Sequence, residues 1–143
     1  MSTSENQALI ERLADELWTK RNLGIVDELL APDWQDHDAM PGMPPGRDGL
    51  KALASTLQRA FADTESSIDQ QLTESDKVVW QWTFRGTHQG EFMGIPATGK
   101  RVALTGITID RIADSKLVER WSVTDTLGFL QQLGAIPAPG SAA

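Results

Sequence analysis

Asp125, His88 and His37 are the residues of this sequence whose types and settings best suit proton-transfer chemistry. His88 follows Trp82 at even spacing, and Asp125 follows Trp121 at even spacing. Because side chains two residues apart lie on one face of a strand, both groups would share aromatic-rich faces. Such surroundings disfavour a charged carboxylate, which suits Asp125 to general acid–base catalysis. His88 would then hydrogen-bond Asp125 or a substrate oxygen.

Each of these residues also has an ordinary structural interpretation. Asp125 stands where a strand-like run meets a helix-like run, a position at which aspartate is favoured as a helix N-cap. His88 lies in a glycine-containing segment and could be a solvated loop residue. His37 lies in Asp-Trp-Gln-Asp-His-Asp, where a hydrogen-bonded turn is a more frequent outcome than a metal site. Local sequence alone supports two roles of Asp125 equally, that of a helix N-cap and that of a general base.

Composition excludes several classes of site and partner. The 143 residues contain no cysteine, so disulfides, zinc–thiolate centres and cysteine nucleophiles are excluded. The net charge of −7 would repel phosphate backbones, so we expect no nucleic-acid partner. We also expect a cytoplasmic protein with no signal peptide and no membrane span, because no apolar run approaches the roughly 20 residues that a span needs. Several of the five tryptophans would line a pocket, the alternative being ordinary core packing.

Hydrophobic periodicity predicts one α+β domain over residues 1–143, with helices on one face of a strongly curved, mostly antiparallel sheet. Apolar residues at helical spacing predict helices over about 5–21, 25–30, 47–62 and 126–133. Alternating patterns predict strands around 68–72, 78–85, 102–109 and 117–123. Tight hairpin turns are expected at 75–76 and 113–115. The proline-rich segment 31–46 is expected to be a loop, and residues 1–5 and 138–143 to be loose.

One long motif combination points to a known family. The run GTHQGEFMGIPATGKRV (86–102), followed by ITIDRI and KLVERWSVTDTLGFLQQLG, resembles the SnoaL-like polyketide cyclase (ester cyclase) family of the nuclear transport factor 2-like superfamily. The resemblance extends from the DWQDHD segment to Gly134 and implies a cone-shaped α+β barrel. The family's usual Asp-Gly-Lys hairpin is Asp114-Ser115-Lys116 here, which we expect to affect only the turn.

The resemblance implies ring closure in a polyketide intermediate by intramolecular aldol condensation, with no cofactor and no metal. It assigns the acid/base role to Asp125 and makes His88 the group that holds a substrate oxygen or tunes Asp125. His37 is a weaker pocket candidate. The substrate-binding walls would come from four tryptophans: Trp18, Trp34, Trp82 and Trp121.

The resemblance also implies a small apolar or aromatic carbonyl-containing substrate and a homo-oligomer, expected to be a dimer, with a tetramer as the alternative. Two alternatives stay open because one fold carries many functions. The chain could be a non-catalytic ligand-binding or oligomerisation module. It could also be an isomerase, hydratase or epoxide hydrolase that uses the same pocket.

Overall fold

The computed structural model describes residues 2–137, so the C-terminal segment 138–143 that was expected to be loose lies outside the described residues. Near the other end, residues 3–5 form the first turn of a helix instead of a loose tail. Ser2 caps that helix by accepting a hydrogen bond from the Glu5 backbone N–H at 3.1 Å, and the Glu5 carboxylate accepts one from the Ser2 N–H at 3.3 Å. This reciprocal capping box ties the start of the helix down.

Four helices follow the periodicity of the sequence closely. Their bounds are α1, Thr3–Leu13, continued by a π-helical segment Ala14–Thr19; α2, Ile25–Leu29; α3, Gly46–Ala60; and α4, Thr126–Leu133. The long helices bury one face each, as residues three and four positions apart require. Ile10, Leu13 and Leu17 are fully buried on the first, and Ala54 is fully buried on α3.

In the described part of the chain, residues 2–137, five strands form one curved, open sheet. They are β1, Leu30–Asp36; β2, Phe61–Glu74; β3, Lys77–His88; β4, Arg101–Ala113; and β5, Lys116–Thr124. Their order across the sheet is β1-β5-β4-β3-β2, antiparallel throughout except for the parallel pair β1–β5. The predicted α+β class, with helices packed on a mostly antiparallel sheet, is confirmed.

The edge strand β1 corrects the prediction of a loop over 31–46. Three of its residues are buried, Leu30 at 0%, Ala31 at 8% and Trp34 at 2% exposed, and it pairs with β5. Pro32 lies on this edge strand, where a missing backbone N–H breaks no ladder on the open side. Proline and aspartate obscured the strand pattern, while the burial of Leu30, Ala31 and Trp34 explains why the segment is ordered.

The hairpin turns lie where they were predicted. Ser75 begins the β2–β3 turn with φ of 57°, and Asp114 and Ser115 form the β4–β5 turn with φ of 50° and 63°. In the β4–β5 turn both central residues have positive φ, which is the signature of the primed turn that matches the twist of a two-residue hairpin. Register shifts interrupt the β2–β3 ladder between Ala62 and Glu65 and between Ile68 and Gln70. Such bulges sharpen the bend of the sheet around the helices.

Within residues 2–137, no helix is both long and apolar enough to cross a lipid bilayer.

Candidate active site

A cavity of about 410 Å³ lies between the concave face of the sheet and the helices. Its volume is in the range of small-molecule binding sites. Leucines of α3 and the loop residues Met40 and Met93 supply much of the apolar wall. The aromatic part of the wall consists of Trp18, Trp80, Trp82, Phe84, Phe92 and Phe129. The cavity therefore suits a mainly apolar, flat ligand.

One wall of the cavity is polar, and β1 and β5 build it. Arg120, Ser122 and Thr124 alternate along β5 and point to the cavity, together with Asp36 and Asp38 from the end of β1 and just beyond it. The two residues are linked, because the Asp38 backbone N–H donates to Asp36 Oδ1 at 3.0 Å. Asp38 Oδ2 in turn accepts from the Ser122 backbone N–H at 2.8 Å. Asp36 is half-buried and Asp38 is exposed at the cavity mouth.

Hydroxyl groups continue this polar wall beneath the aromatic rings. Trp82 Nε1 donates to Thr108 Oγ1 at 2.9 Å, and Thr108 Oγ1 lies 3.1 Å from Ser122 Oγ. Thr108 is 2% exposed, so the chain of hydrogen bonds satisfies a buried hydroxyl and fixes the orientation of the Trp82 ring. The Trp82 face that meets the cavity is therefore held in place.

A buried ion pair lies at the inner end of the same wall. Arg120 Nε donates to Asp110 Oδ1 at 3.1 Å, while Trp80 Nε1 donates to Asp110 Oδ2 at 2.8 Å. Asp110 is 0% exposed and Arg120 is 6% exposed. The Arg120 guanidinium carbon lies 5.5 Å above the centre of the Trp34 ring. The carboxylate and the indole together fix this guanidinium at the cavity.

Asp125 lies outside the cavity wall, contrary to the expectation that it faces a pocket. Its side chain is exposed and caps α4, with Oδ1 accepting from the Gly128 backbone N–H at 2.9 Å. The reason is the orientation of β5: positions 120, 122 and 124 point inward, so Val123 and Asp125 share the outer face. Thr124 and Thr126 do line the cavity, which leaves Asp125 beside its mouth.

His88 lies in the aromatic core beyond the cavity. It is 0% exposed and stacks on Phe61 with ring centres 5.3 Å apart. Its Nδ1 accepts from the Thr98 backbone N–H at 3.2 Å and lies 2.9 Å from Thr98 Oγ1. His88 follows Trp82 by six residues on β3, which puts both on one face of the strand, as the spacing predicts. His88 is nevertheless too far along β3 to reach the cavity. It instead anchors the loop 89–100, and the structure does not bring it near Asp125.

The remaining predicted residues lie in three places: the cavity wall, the buried core and the outer face of the sheet. Trp18 and Trp82 lie in the cavity wall, and their contact with a substrate stays a prediction. Trp34 is 2% exposed beneath Arg120 and is not part of that wall. Trp121 and His37 stack on each other on the outer face, with ring centres 4.8 Å apart and planes 9° from parallel.

An acidic residue holds His37 on that outer face. His37 Nε2 lies 2.7 Å from Glu119 Oε2, and Arg111 Nε donates to Glu119 Oε1 at 2.6 Å. The hydrogen bond with His37 and then that with Arg111 lower the pKa of Glu119. His37 thus points away from Asp36 and Asp38, its neighbours in sequence, and within residues 2–137 no three acidic or histidine side chains gather as a metal site would require.

Sequence reasoning missed the polar residues that do line the cavity, namely Asp36, Asp38 and Arg120, and the buried partner of the arginine, Asp110. The signal was present as period-two spacing: 36 and 38 share one face, and 120, 122 and 124 share another. The first pair was hidden because the segment 31–46 was expected to be a loop, and the second set because Trp121 suggested that the opposite face of β5 meets the cavity.

The amino-acid sequence matches a known protein family over most of its length. A family model described as SnoaL-like polyketide cyclase matches residues 8–133. The chain belongs to the SnoaL-like polyketide cyclase family. The run GTHQGEFMGIPATGK, which suggested this family, forms the end of β3 and the loop that His88 anchors. Two residues of this loop, Phe92 and Met93, line the cavity.

Two curated proteins are similar to this SnoaL-like chain over part of their lengths. Aklanonic acid methyl ester cyclase DauD of Streptomyces sp. (strain C5) is 29% identical over 113 residues, which cover 77% of this chain and 67% of DauD. Aklanonic acid methyl ester cyclase DnrD of Streptomyces peucetius is 30% identical over 90 residues, covering 62% of each. The matches thus span about two thirds of the length of these relatives.

A solved structure supports the same fold along nearly the whole chain. TsrD from Streptomyces laurentii superposes with a TM-score of 0.87 at 28% identity, covering 95% of this chain and 99% of TsrD. The fold of this SnoaL-like chain is therefore that of the nuclear transport factor 2-like superfamily.

Proposed function

We propose that this protein is a cofactor-independent cyclase that closes a ring in a polyketide-like substrate by intramolecular aldol addition. One observation carries the proposal: two aspartates, Asp36 and Asp38, lie in the wall of an otherwise largely apolar, aromatic cavity of about 410 Å³, and the Asp38 backbone N–H donates to the Asp36 carboxylate. An apolar cavity with few convergent polar groups is the usual form of a small-molecule site. Membership of a polyketide cyclase family makes carbonyl chemistry the natural use of such a site.

Asp36 is the proposed general base. Its carboxylate is half-buried in the cavity wall, and its Oδ1 is held by the Asp38 N–H, which leaves Oδ2 for the substrate. Asp36 would remove a proton from a carbon next to a carbonyl group and so produce an enolate. The enolate carbon would attack a second carbonyl carbon of the same molecule, forming one carbon–carbon bond. Asp36 would then return its proton to the new alkoxide.

The aromatic walls would supply the remaining part of catalysis by folding the substrate onto itself. Bringing two reactive carbons of one flexible molecule into contact removes the entropic part of the barrier. Trp18, Trp82 and Phe129 line the cavity and would stack on a flat ring system. Since the curated relatives are named as aklanonic acid methyl ester cyclases, we propose an aromatic polyketide ester as the substrate class.

Asp125 is the second candidate for the base. It lies in the WSVTD run that suggested it, between the cavity residues Thr124 and Thr126, but its Oδ1 is already engaged with the Gly128 N–H. A role in proton transfer requires that it leave this cap. The experiment that tests Asp36 therefore also includes a variant at Asp125.

The test is conversion of aklanonic acid methyl ester by the purified protein and by its Asp36→Asn and Asp125→Asn variants. Aldol ring closure leaves the mass unchanged, so the product is a new chromatographic peak of equal mass. Proton abstraction by itself is measured as deuterium uptake from D₂O next to the carbonyl groups. Asp36→Asn should lower kcat/KM by about 10²–10⁴-fold, the usual contribution of general acid–base catalysis.

Asp33→Asn is the matched control, because Asp33 is an exposed aspartate of β1 that does not line the main cavity. It should retain the wild-type rate. If Asp125→Asn loses activity while Asp36→Asn retains it, the base is Asp125. If wild-type protein gives neither ring closure nor deuterium uptake, the chain is a ligand-binding member of the family.

Thermal melting separates a cap from a base at position 125. As an N-cap, Asp125 should tolerate asparagine with little loss, while Asp125→Ala should lower the free energy of unfolding by about 1 kcal/mol.

A further inference from the structure

Arg120 is the one cation in the wall of the cavity, among the residues that the structure describes. Its side chain is more than nine-tenths buried, and its only side-chain hydrogen bond in residues 2–137 runs from Nε to Asp110. Nη2 is buried without a hydrogen-bond partner. Asp110 accepts from Arg120 Nε through one oxygen and from Trp80 Nε1 through the other, and within residues 2–137 it makes no hydrogen bond to Nη2.

A buried guanidinium with unpaired N–H groups is costly, since each unsatisfied donor has lost its water without gaining a partner. Arginine presents five N–H donors, of which Asp110 engages one here. The stacking of the guanidinium on Trp34 satisfies none of the other donors. Asp110, Trp80 and Trp34 therefore hold the group in place. Nη2 is enclosed by protein, whereas Nη1 makes no hydrogen bond within residues 2–137 and is not fully buried, so Nη1 is the nitrogen left for an acceptor in the cavity.

The position of Arg120 relates it directly to the proposed base. Arg120 pairs in register with Asp36 across the parallel β1–β5 ladder, and both side chains line the cavity. A substrate carbon next to Asp36 would bring its own carbonyl oxygen to the same wall. That oxygen gains negative charge as the neighbouring carbon loses its proton, and a preorganised donor aimed at developing charge is most effective in a site shielded from water.

We infer that Arg120 forms an oxyanion-binding subsite that receives the substrate carbonyl oxygen as it becomes an enolate oxygen, an inference that rests on the proposed function. Arg120 donates hydrogen bonds and positive charge to that oxygen and transfers no proton. Asp110 and Trp80 are positioning residues, because they act on the substrate only through the orientation of Arg120. The subsite selects ligands that place an anionic or strongly polarised oxygen at the inner end of the cavity.

The experiment compares the affinities of 2-naphthoate and 2-naphthamide, two flat molecules of nearly equal shape that differ in charge. The protein carries a net charge of −7, which disfavours the anion everywhere except at a specific cation. Wild-type protein should bind 2-naphthoate about tenfold more tightly than 2-naphthamide, in line with a charged hydrogen bond. Isothermal titration calorimetry measures both dissociation constants.

The principal variant is the double substitution Arg120→Met with Asp110→Asn. Removing the arginine alone would leave Asp110 buried without its partner and could unfold the chain, whereas removing both charges is often neutral. The side-chain amide introduced by Asp110→Asn keeps an oxygen acceptor for Trp80. The double variant should lose the preference for 2-naphthoate and keep its affinity for 2-naphthamide within about threefold. Retained 2-naphthamide binding also shows that the cavity is folded.

Arg111→Met is the matched control, because it removes one positive charge from the neighbouring strand outside the cavity, where Arg111 pairs with Glu119. It should keep the preference for 2-naphthoate. The inference is overturned if wild-type protein binds neither ligand or binds both equally, or if the double variant keeps the preference. If the protein closes the ring but shows no Arg120-dependent preference for 2-naphthoate, the proposed function is supported and the subsite is not. If it shows the preference but no ring closure, the subsite is supported and the proposed function is not.

Discussion

At the scale of single residues, Glu119 connects two neighbours on the outer face of the sheet. It accepts from Arg111 and hydrogen-bonds His37, whose ring stacks on Trp121. These hydrogen bonds stabilise the charged carboxylate and lower the pKa of Glu119 below its ordinary value of 4.5. Glu119 thus holds His37, which the sequence suggested as a pocket residue, on the side of the sheet away from the cavity.

Glu119→Gln should weaken the acid dependence of stability. A carboxylate whose pKa is lower in the folded state contributes stability that is complete above its unfolded pKa and is lost as pH falls through the folded pKa. Wild type should therefore exceed Glu119→Gln in stability at pH 7, and the difference should shrink as pH falls below about 4.5, the ordinary glutamate value. Urea unfolding between pH 3 and 7 measures it.

Glu74→Gln is the control for this pH series. Glu74 is exposed at the end of β2 and makes no ion pair within residues 2–137. A constant difference between wild type and Glu119→Gln across the whole pH range would contradict the role given to Glu119.

At the scale of elements, the β4–β5 hairpin fixes the strand that carries Arg120 and Ser122. Its turn holds two non-glycine residues, Asp114 and Ser115, at positive φ. The family pattern that the sequence resembles has glycine where this chain has Ser115. An L-residue in the left-handed region carries strain that glycine avoids, although glycine loses more entropy on folding.

Ser115→Gly should raise the free energy of unfolding by about 0.5 kcal/mol, since relief of strain exceeds the entropic cost by a small margin. Urea unfolding at pH 7 measures the change. Ser4→Gly is a suitable contrast, because Ser4 lies in α1 and has no positive φ to relieve. That variant should be less stable than wild type, and a loss of stability in both variants would show that the turn is not strained.

At the scale of the whole molecule, the curved sheet and the helices close around one cavity, and ligand binding there should stabilise the entire fold. A ligand that binds only the folded state at one hundred times its dissociation constant adds about 2.7 kcal/mol to the free energy of unfolding. An aromatic polyketide ester should therefore raise Tm with rising concentration. Differential scanning fluorimetry measures this shift.

Two tryptophan substitutions test whether the shift arises in the cavity. Leu53→Trp adds bulk to the α3 wall and should reduce the shift, whereas Leu127→Trp adds the same ring at a position that is 58% exposed and outside the wall. An unchanged shift in Leu53→Trp would place the ligand elsewhere.

The homo-oligomer expected from the resemblance stays a prediction.

The sequence by itself determined the class of fold, the family and most of the elements. Helical and alternating periodicities depend on local geometry, so α1, α3 and α4 and the strands β3, β4 and β5 could be predicted from spacing. The turn at Asp114 and Ser115 could be predicted because turn residues act within four positions. The strand β1 was missed because its order comes from burial of Trp34 and pairing with β5.

Only the tertiary structure decided which face of each strand meets the cavity. Alternation separates two faces of β5, but it cannot say which one the helices cover, and the aromatic Trp121 suggested the wrong one. Packing placed Arg120, Ser122 and Thr124 inward and left Asp125 to cap α4. Asp110 and Arg120 lie ten residues apart in sequence and meet because β4 and β5 pair in that register.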